Sequence, residues 1–258
     1  MSDVKGRWVW YDLMTTDPQA ATRFYSDVVG WGTQKWKDDQ PYTMFTADAG
    51  PIGGAMELPE AARASGAPPH WMAYIGTDDI EGSTHRAEEL GATVLVEPQD
   101  IPEVGRFAVF SDPQGAVFAL FAPDGEMPVD DGQPGVRRFS WNELATTDHE
   151  AAFDFYSKLA GWDRTSEFDM GPQGSYQMYG QKGMPYGGMF RKPAEMPGPP
   201  SWIYYARVDD LDDAVERVRA GGGQVLNGPM EVPGGDRIAQ CTDPQGAFFA
   251  LHEQKSED

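Results

Sequence analysis

Thr16-Asp-Pro-Gln-Ala-Ala-Thr-Arg-Phe-Tyr-Ser-Asp-Val-Val-Gly-Trp31 and Thr147-Asp-His-Glu-Ala-Ala-Phe-Asp-Phe-Tyr-Ser-Lys-Leu-Ala-Gly-Trp162 are one pattern written twice, 131 residues apart. The pattern is a helix with both ends marked. Asp17 and Asp148 are natural N-caps, Pro18 suits the first turn, and Phe24, Val28 and Val29 recur at helical spacing until Gly30 stops the run. The correspondence extends upstream, where Trp10, Asp12 and Leu13 fall on Trp141, Glu143 and Leu144. Downstream, Trp71, Tyr74, Asp78 and Asp79 fall on Trp202, Tyr205, Asp209 and Asp210, and Asp112-Pro-Gln-Gly-Ala116 returns as Asp243-Pro-Gln-Gly-Ala247. So many identities at one offset make the chain a tandem repeat.

One pair breaks the offset. Gly53-Gly54 meets Gly187-Gly188 at 134 residues, so a length difference of three is introduced before the second pair and undone after it. Such variation belongs in loops. Residues 125–138 carry Pro128, Asp130, Asp131, Gly132, Pro134 and Gly135 without apolar periodicity, which reads as a linker. The expected domains are therefore residues 1–124 and 139–258.

Within each copy, a strand (residues 7–13 or 138–144) precedes the marked helix, and three short strands follow, the last containing the glycine pair. A second unit repeats the order: strand 70–77, helix 80–90 stopped by Gly91, then strands near 93–96, 107–110 and 116–121. Each copy reads as β-α-β-β-β twice, an α+β class of curved mixed sheets around a cup. The single cysteine, Cys241, excludes an intrachain disulfide and reads as an inert strand residue.

This order, with the Thr-Asp-x6-Phe-Tyr helix start, the Gly-Trp after that helix, Asp78-Asp79 and the Asp-Pro-Gln-Gly turn, resembles the vicinal oxygen chelate superfamily. That superfamily includes glyoxalase I, extradiol dioxygenases, and fosfomycin- and bleomycin-resistance proteins. The resemblance covers nearly the whole chain, twice, and is greatest to tandem two-domain actinobacterial members. It implies a fold more than a function, because the fold hosts many chemistries.

The resemblance also implies where metal ligands would stand. At the first-strand position the chain has Trp10 and Trp141; at the second, Met72 and Ile203; at the last-strand position, Ala119 and Ala250. For the fourth, near the glycine pairs, the candidates are Met56 and Phe190. Indole, thioether and alkyl groups do not ligate Mg, Mn, Fe, Ni or Zn at useful strength, so no metal and no cofactor are expected. The histidines offer no paired replacement. His85 and His149 read as exposed helix residues, and His70 and His252 as strand-flanking residues at a rim.

What remains as a candidate site is apolar and carboxylate-edged. Asp12 and Glu143 stand two residues beyond Trp10 and Trp141 and share their face. They admit two readings: pairing with Arg106 or Arg237, or service as a general base or anionic ligand contact. Tyr74 and Tyr205 add hydroxyl or stacking surface, with Met72, Ile203, Ala119 and Ala250 as lining; the repeated tryptophans read as core or as a ligand platform. Gly221-Gly-Gly223 follows a helix and is a stop, not a phosphate loop.

Composition bounds the partners. Apolar residues are 40% and aromatics 12% of 258 residues, ample for packed cores. Forty-one acidic against twenty basic residues give a net charge of −21, which disfavours nucleic acid and anionic membranes. A small-molecule ligand is the expected partner. No basic leader with an apolar run opens the chain and no long apolar run occurs, so a cytoplasmic protein is expected, a monomer of two pseudo-symmetric domains or a homodimer. Three functions compete: metal-independent binding of an aromatic or cationic molecule; an enzyme, either a metal-free lyase, isomerase or cyclase using Asp12 or Glu143 as base or a metal-dependent glyoxalase or dioxygenase with other ligands; and an interaction surface.

Overall fold

The computed structural model describes residues 4–37, 40–48, 50–127 and 133–255. The linker residues Pro128, Asp130, Asp131 and Gly132 lie outside the described residues. The first repeat runs β1 (Trp8–Thr15), α1 (Pro18–Val29), β2 (Gly32–Lys35), β3 (Tyr42–Ala47), β4 (Gly50–Glu57), α2 (Glu60–Ala64), β5 (His70–Gly76), α3 (Ile80–Glu89), β6 (Thr93–Ile101), β7 (Gly105–Ser111) and β8 (Val117–Pro123). The second runs β9 (Phe139–Thr146), α4 (His149–Ala160), β10 (Asp163–Asp169), β11 (Ser175–Gln181), β12 (Met184–Arg191), β13 (Ser201–Arg207), α5 (Leu211–Ala220), β14 (Gln224–Glu231), β15 (Arg237–Thr242) and β16 (Phe248–Glu253).

The strands form two eight-stranded sheets of identical topology, β2-β3-β4-β1-β5-β8-β7-β6 and β10-β11-β12-β9-β13-β16-β15-β14. β1 is parallel to β4 and β5 to β8, as β9 is to β12 and β13 to β16, while the hairpins are antiparallel. This is the α+β architecture of mixed sheets.

The helix ends are set locally. Asp17 accepts from the Ala20 amide at 2.9 Å and Asp148 from Ala151 at 3.1 Å, and Asp79 and Asp210 cap α3 and α5 in the same way. Gly30 and Gly161 close α1 and α4 in the left-handed region, at φ 83° and 73°. The three-residue length differences are also located. The second repeat has a longer β10, seven residues against four in β2, followed by a 3-10 turn (Gly171–Gln173), and the first has α2 between β4 and β5. α2 is absent from the sequence expectation, since one short exposed turn has no apolar period. β6 also runs past Val96 to Ile101 and includes Pro98. It lies at a sheet edge, where a missing amide donor costs no ladder bond.

The compact units in space are not the two sequence repeats. One comprises Met1–Trp10, Ala73–Asp131 and Trp141–Ile203, and the other Tyr11–Met72, Gly132–Ser140 and Tyr204–Asp258. Each contains elements of both repeats, and the aromatic cores show how. In the second unit Phe139 of the second repeat packs on Trp31 and Trp71 of the first, at centroid distances of 5.2 and 5.4 Å, and these two rings pack in turn on Tyr25 and Phe45. In the first unit Trp8, the residue equivalent to Phe139, packs on Trp162 and Trp202 and donates to the Tyr179 hydroxyl, and Tyr156 packs on the same two tryptophans.

The polar ends of these rings are stitched in the same reciprocal manner. Trp71 Nε1 donates to the Tyr25 hydroxyl at 2.9 Å, and Tyr25 donates to Asp243 Oδ2 at 3.2 Å. Trp202 donates to Tyr156 at 3.1 Å, and Tyr156 to Asp112 Oδ2 at 3.1 Å. The two aspartates are those of the Asp-Pro-Gln-Gly turns, whose other oxygen accepts two backbone amides: Gln114 and Ala116, or Gln245 and Ala247. Trp31 and Trp162 donate to the carbonyls of Arg137 and Gly6. The repeated aromatic and Asp-Pro-Gln-Gly motifs are thus mainly structural, each satisfying a buried donor of the other repeat.

Candidate functional site

The carboxylates singled out in the sequence are buried, Asp12 at 6% and Glu143 at 8% exposure, and both meet a tyrosine. Tyr42 of β3 donates to Asp12 Oδ1 at 2.5 Å, and Tyr176 of β11 donates to Glu143 Oε1 at 2.8 Å. In the second repeat Trp141 Nε1 donates to the Tyr176 hydroxyl at 2.8 Å, so one phenol joins Trp141 and Glu143 on one face of β9. Arg106 and Arg237, the alternative partners weighed for these carboxylates, are engaged by Asp100 and Glu81, and by Asp212 and Glu253.

Glycine makes this contact possible. Asp12 pairs with Gly54 across β1–β4, and Glu143 with Gly188 across β9–β12. A Cβ on Gly54 would lie 2.3 Å from the Tyr42 ring, and one on Gly188 would lie 2.1 Å from the Tyr176 ring. The ring therefore crosses the space a side chain would fill and reaches the carboxylate beyond it. The preceding glycines sit against backbone: Cβ atoms on Gly53 and Gly187 would meet the Tyr11 and Asn142 carbonyls at 2.1 and 1.7 Å. Each glycine pair thus does two jobs, close strand approach and seating of a phenol. Met56 and Phe190, the candidates for the fourth position, are the cross-strand partners of Tyr42 and Tyr176, and the Phe190 ring stacks on Tyr176 at 6.2 Å.

The other candidates group in parallel strand pairs. Tyr74 pairs with Ala119, its buried ring edge-on to Phe107 and Phe121. Tyr205 pairs with Ala250, and its hydroxyl accepts from Gln240 at 3.1 Å. Met72 and Ile203 are buried, and Trp10 and Trp141 are half-buried. Tyr42 and Tyr176 were not among the sequence candidates. The signal for them was present, since they share the 134-residue offset of the glycine pairs.

Of the histidines, His85 is exposed beside Glu89. His149 is not exposed as expected: its side chain is 14% exposed, packed at the first position of α4. His70 bonds the Pro68 carbonyl, and His252 lies between Ser140 and Asp236. Burial pushes the Cys241 thiol up to about 12, which makes it unreactive at neutral pH.

The model of the Glyoxalase/Bleomycin resistance protein/Dioxygenase superfamily matches residues 7–120 and 138–251. The chain belongs to this superfamily. CFP32 of Mycobacterium tuberculosis, provisionally named a glyoxylase, is 32% identical over 94% of this chain and 92% of its own length. The anthracycline biosynthesis protein DnrV of Streptomyces peucetius is also 32% identical, over 96% and 93%. Among solved structures, the Mn(II)-bound glyoxalase from Novosphingobium aromaticivorans superposes with TM-score 0.62 at 18% identity, covering 98% of this chain and 83% of that one. The 2,3-dioxygenase LapB from Pseudomonas sp. KL28 superposes at 0.64 and 13%, covering 98% and 93%. At these identities the likeness shows the fold.

A metal of the kind the manganese glyoxalase holds does not fit the side chains present. Trp, Met or Ile, and Ala occupy the positions that the superfamily pattern implies for ligands in both repeats. Among the described residues no group of three or more His, Cys, Asp or Glu side chains is placed to hold an ion.

Proposed function

We propose that this superfamily member binds a small aromatic molecule bearing a hydroxyl or ammonium group, through its carboxylate–tyrosine pairs and without a metal. The observation that carries this reading is the repetition of one arrangement, buried carboxylate, phenol and glycine seat, at Asp12–Tyr42–Gly54 and Glu143–Tyr176–Gly188. A carboxylate has two oxygens and accepts several hydrogen bonds at once, so beside its phenol it is a fitting contact for a cationic or hydroxyl donor on a ligand. The net charge of −21 favours cations in solution. Kinship with a protein named for anthracycline biosynthesis supports an aromatic ligand, anthracyclines being fused aromatic ring systems.

Tryptophan emission during titration with planar aromatic amines, an anthracycline among them, tests the reading. Saturable quenching is expected, with affinity about tenfold weaker, about 1.4 kcal/mol, in Glu143→Gln or Asp12→Asn. Absence of quenching, or affinity unchanged in both variants, refutes it.

One observation favours a second reading, an enzyme using Glu143 as general base. The Trp141–Tyr176–Glu143 line holds the phenol by both an incoming and an outgoing hydrogen bond, so the carboxylate is oriented as well as buried. Turnover of such a ligand that survives in Glu143→Gln excludes this role.

A further inference from the structure

Ser140, His252 and Asp236 form a hydrogen-bonded line with no counterpart in the first repeat, where Val9, Phe121 and Gly105 stand at the same offset. His252 Nδ1 lies 2.8 Å from Ser140 Oγ, and Nε2 lies 2.9 Å from Asp236 Oδ2. The other Asp236 oxygen accepts the Lys255 amide at 2.9 Å, which fixes the carboxylate. Burial pushes that carboxyl up, but the Lys255 amide, His252 and nearby Arg207 outweigh it and hold the group below the usual range. An ionised carboxylate only accepts, so it keeps the imidazole proton on Nε2 and turns the Nδ1 lone pair toward the serine hydroxyl.

Two more features complete the arrangement. The Tyr205 carbonyl, 3.3 Å from Ser140 Oγ, is an alternative acceptor for the hydroxyl proton once the imidazole is protonated. Arg207 is the β13 partner of His252 across the parallel ladder, and its buried Nε–H has no acceptor among the described residues although its Nη1 bonds the Pro134 carbonyl. An unmet cationic donor beside a serine–histidine pair points to a ligand that brings negative charge. The charged groups around His252 are Asp236, Arg207 on β13 and Lys255 beyond β16, whose side chain lies over Gly235. The His252 side chain is 15% exposed and Ser140 is half-buried, so a small reagent has access.

We propose that Ser140 is a nucleophile toward small acyl esters, with His252 as its general base and Asp236 as a positioning residue. Ser140 Oγ attacks the ester carbonyl carbon while its proton passes to His252 Nδ1. The bond from that carbon to the leaving oxygen breaks, and the imidazolium returns the proton to the departing alcohol. Water, deprotonated by the same imidazole, then cleaves the acyl-serine to the carboxylic acid and free serine. Arg207 is the donor for the charge that develops on the carbonyl oxygen.

The test uses the full chain and p-nitrophenyl acetate, with peptide mass spectrometry to locate the acetyl group. An adduct on Ser140 is expected, forming faster at higher pH, absent in Ser140→Ala and at least tenfold slower in His252→Gln. Asp236→Asn is expected to slow acylation and displace its pH midpoint, an effect that a merely structural aspartate would not give. Acetyl groups confined to lysines or to His252, or a pH-independent rate, overturn the proposal on wild-type protein alone. A Ser140 adduct that forms equally fast in a His252→Gln protein of native far-ultraviolet dichroism also overturns it.

Discussion

The Tyr25 hydroxyl donates to Asp243 Oδ2 at 3.2 Å, joining α1 of the first repeat to the Asp-Pro-Gln-Gly turn of the second, and Tyr156 repeats the bond to Asp112 in the opposite sense. Both phenols are buried and each also accepts a tryptophan N–H. Tyr25→Phe leaves the Trp71 indole without its acceptor and Asp243 without its hydroxyl donor. A loss of about 1–3 kcal/mol is expected in urea unfolding, with smaller additional loss when Trp71→Phe is added, because the two groups share one network.

The same exchange bears on truncation. Phe139 packs on Trp31 and Trp71, and Trp8 packs on Trp162 and Trp202. A fragment of residues 1–124 lacks Phe139 and Asp243, and so lacks both the ring and the acceptor that complete its core. As a monomer it is expected to melt without a cooperative transition. Light scattering coupled to thermal unfolding checks this; a cooperative monomeric melt close to that of the full chain counts against the exchange as a stabilising element.

Burial raises the Asp112 and Asp243 carboxyls above the ordinary range, only partly offset by their backbone amides and tyrosine donors. The folded chain therefore binds these protons more readily than the unfolded chain. Through these groups stability falls as pH rises from the unfolded carboxylate value to the folded one, and the penalty is relieved below it. Asp243→Asn removes one such group. Relative to this variant, the wild type should gain stability on acidification across that window in urea midpoints; a gap that is constant with pH contradicts the assignment.

The parts of this architecture legible in the sequence were those fixed by near neighbours. Asp17, Asp148, Gly30 and Gly161 mark helix ends because capping involves residues three or four apart. Asp12 and Glu143 stand out as candidates in the sequence because strand alternation puts them on one face with Trp10 and Trp141. Their partners Tyr42 and Tyr176 were not, because the contact passes over a third strand and depends on the register that sets Gly54 and Gly188 beside the carboxylates. The exposure of His149 was misjudged for a related reason: a helix-start position reveals its own turn but not what packs upon it. The exchange of rings and aspartates between repeats was likewise invisible, since equal residues at equal offsets look the same whether paired within a copy or across copies.

The glycine seat gives the sharpest separation of structure from site. In Gly188→Ala the new Cβ would lie about 2 Å from the Tyr176 ring, so the phenol must swing away from Glu143. Overpacking of this kind costs about 1–3 kcal/mol, and the carboxylate loses the Tyr176 hydroxyl as well. Tyr176→Phe, by contrast, keeps the ring and removes only the hydroxyl, so it should spare more of the stability while still weakening ligand affinity. In Gly188→Ala/Tyr176→Ala the clash is gone, and stability should recover relative to the sum of the single losses although binding does not. The cycle is read by urea unfolding beside tryptophan quenching. Strictly additive stability losses would mean that Tyr176 does not occupy the space above Gly188.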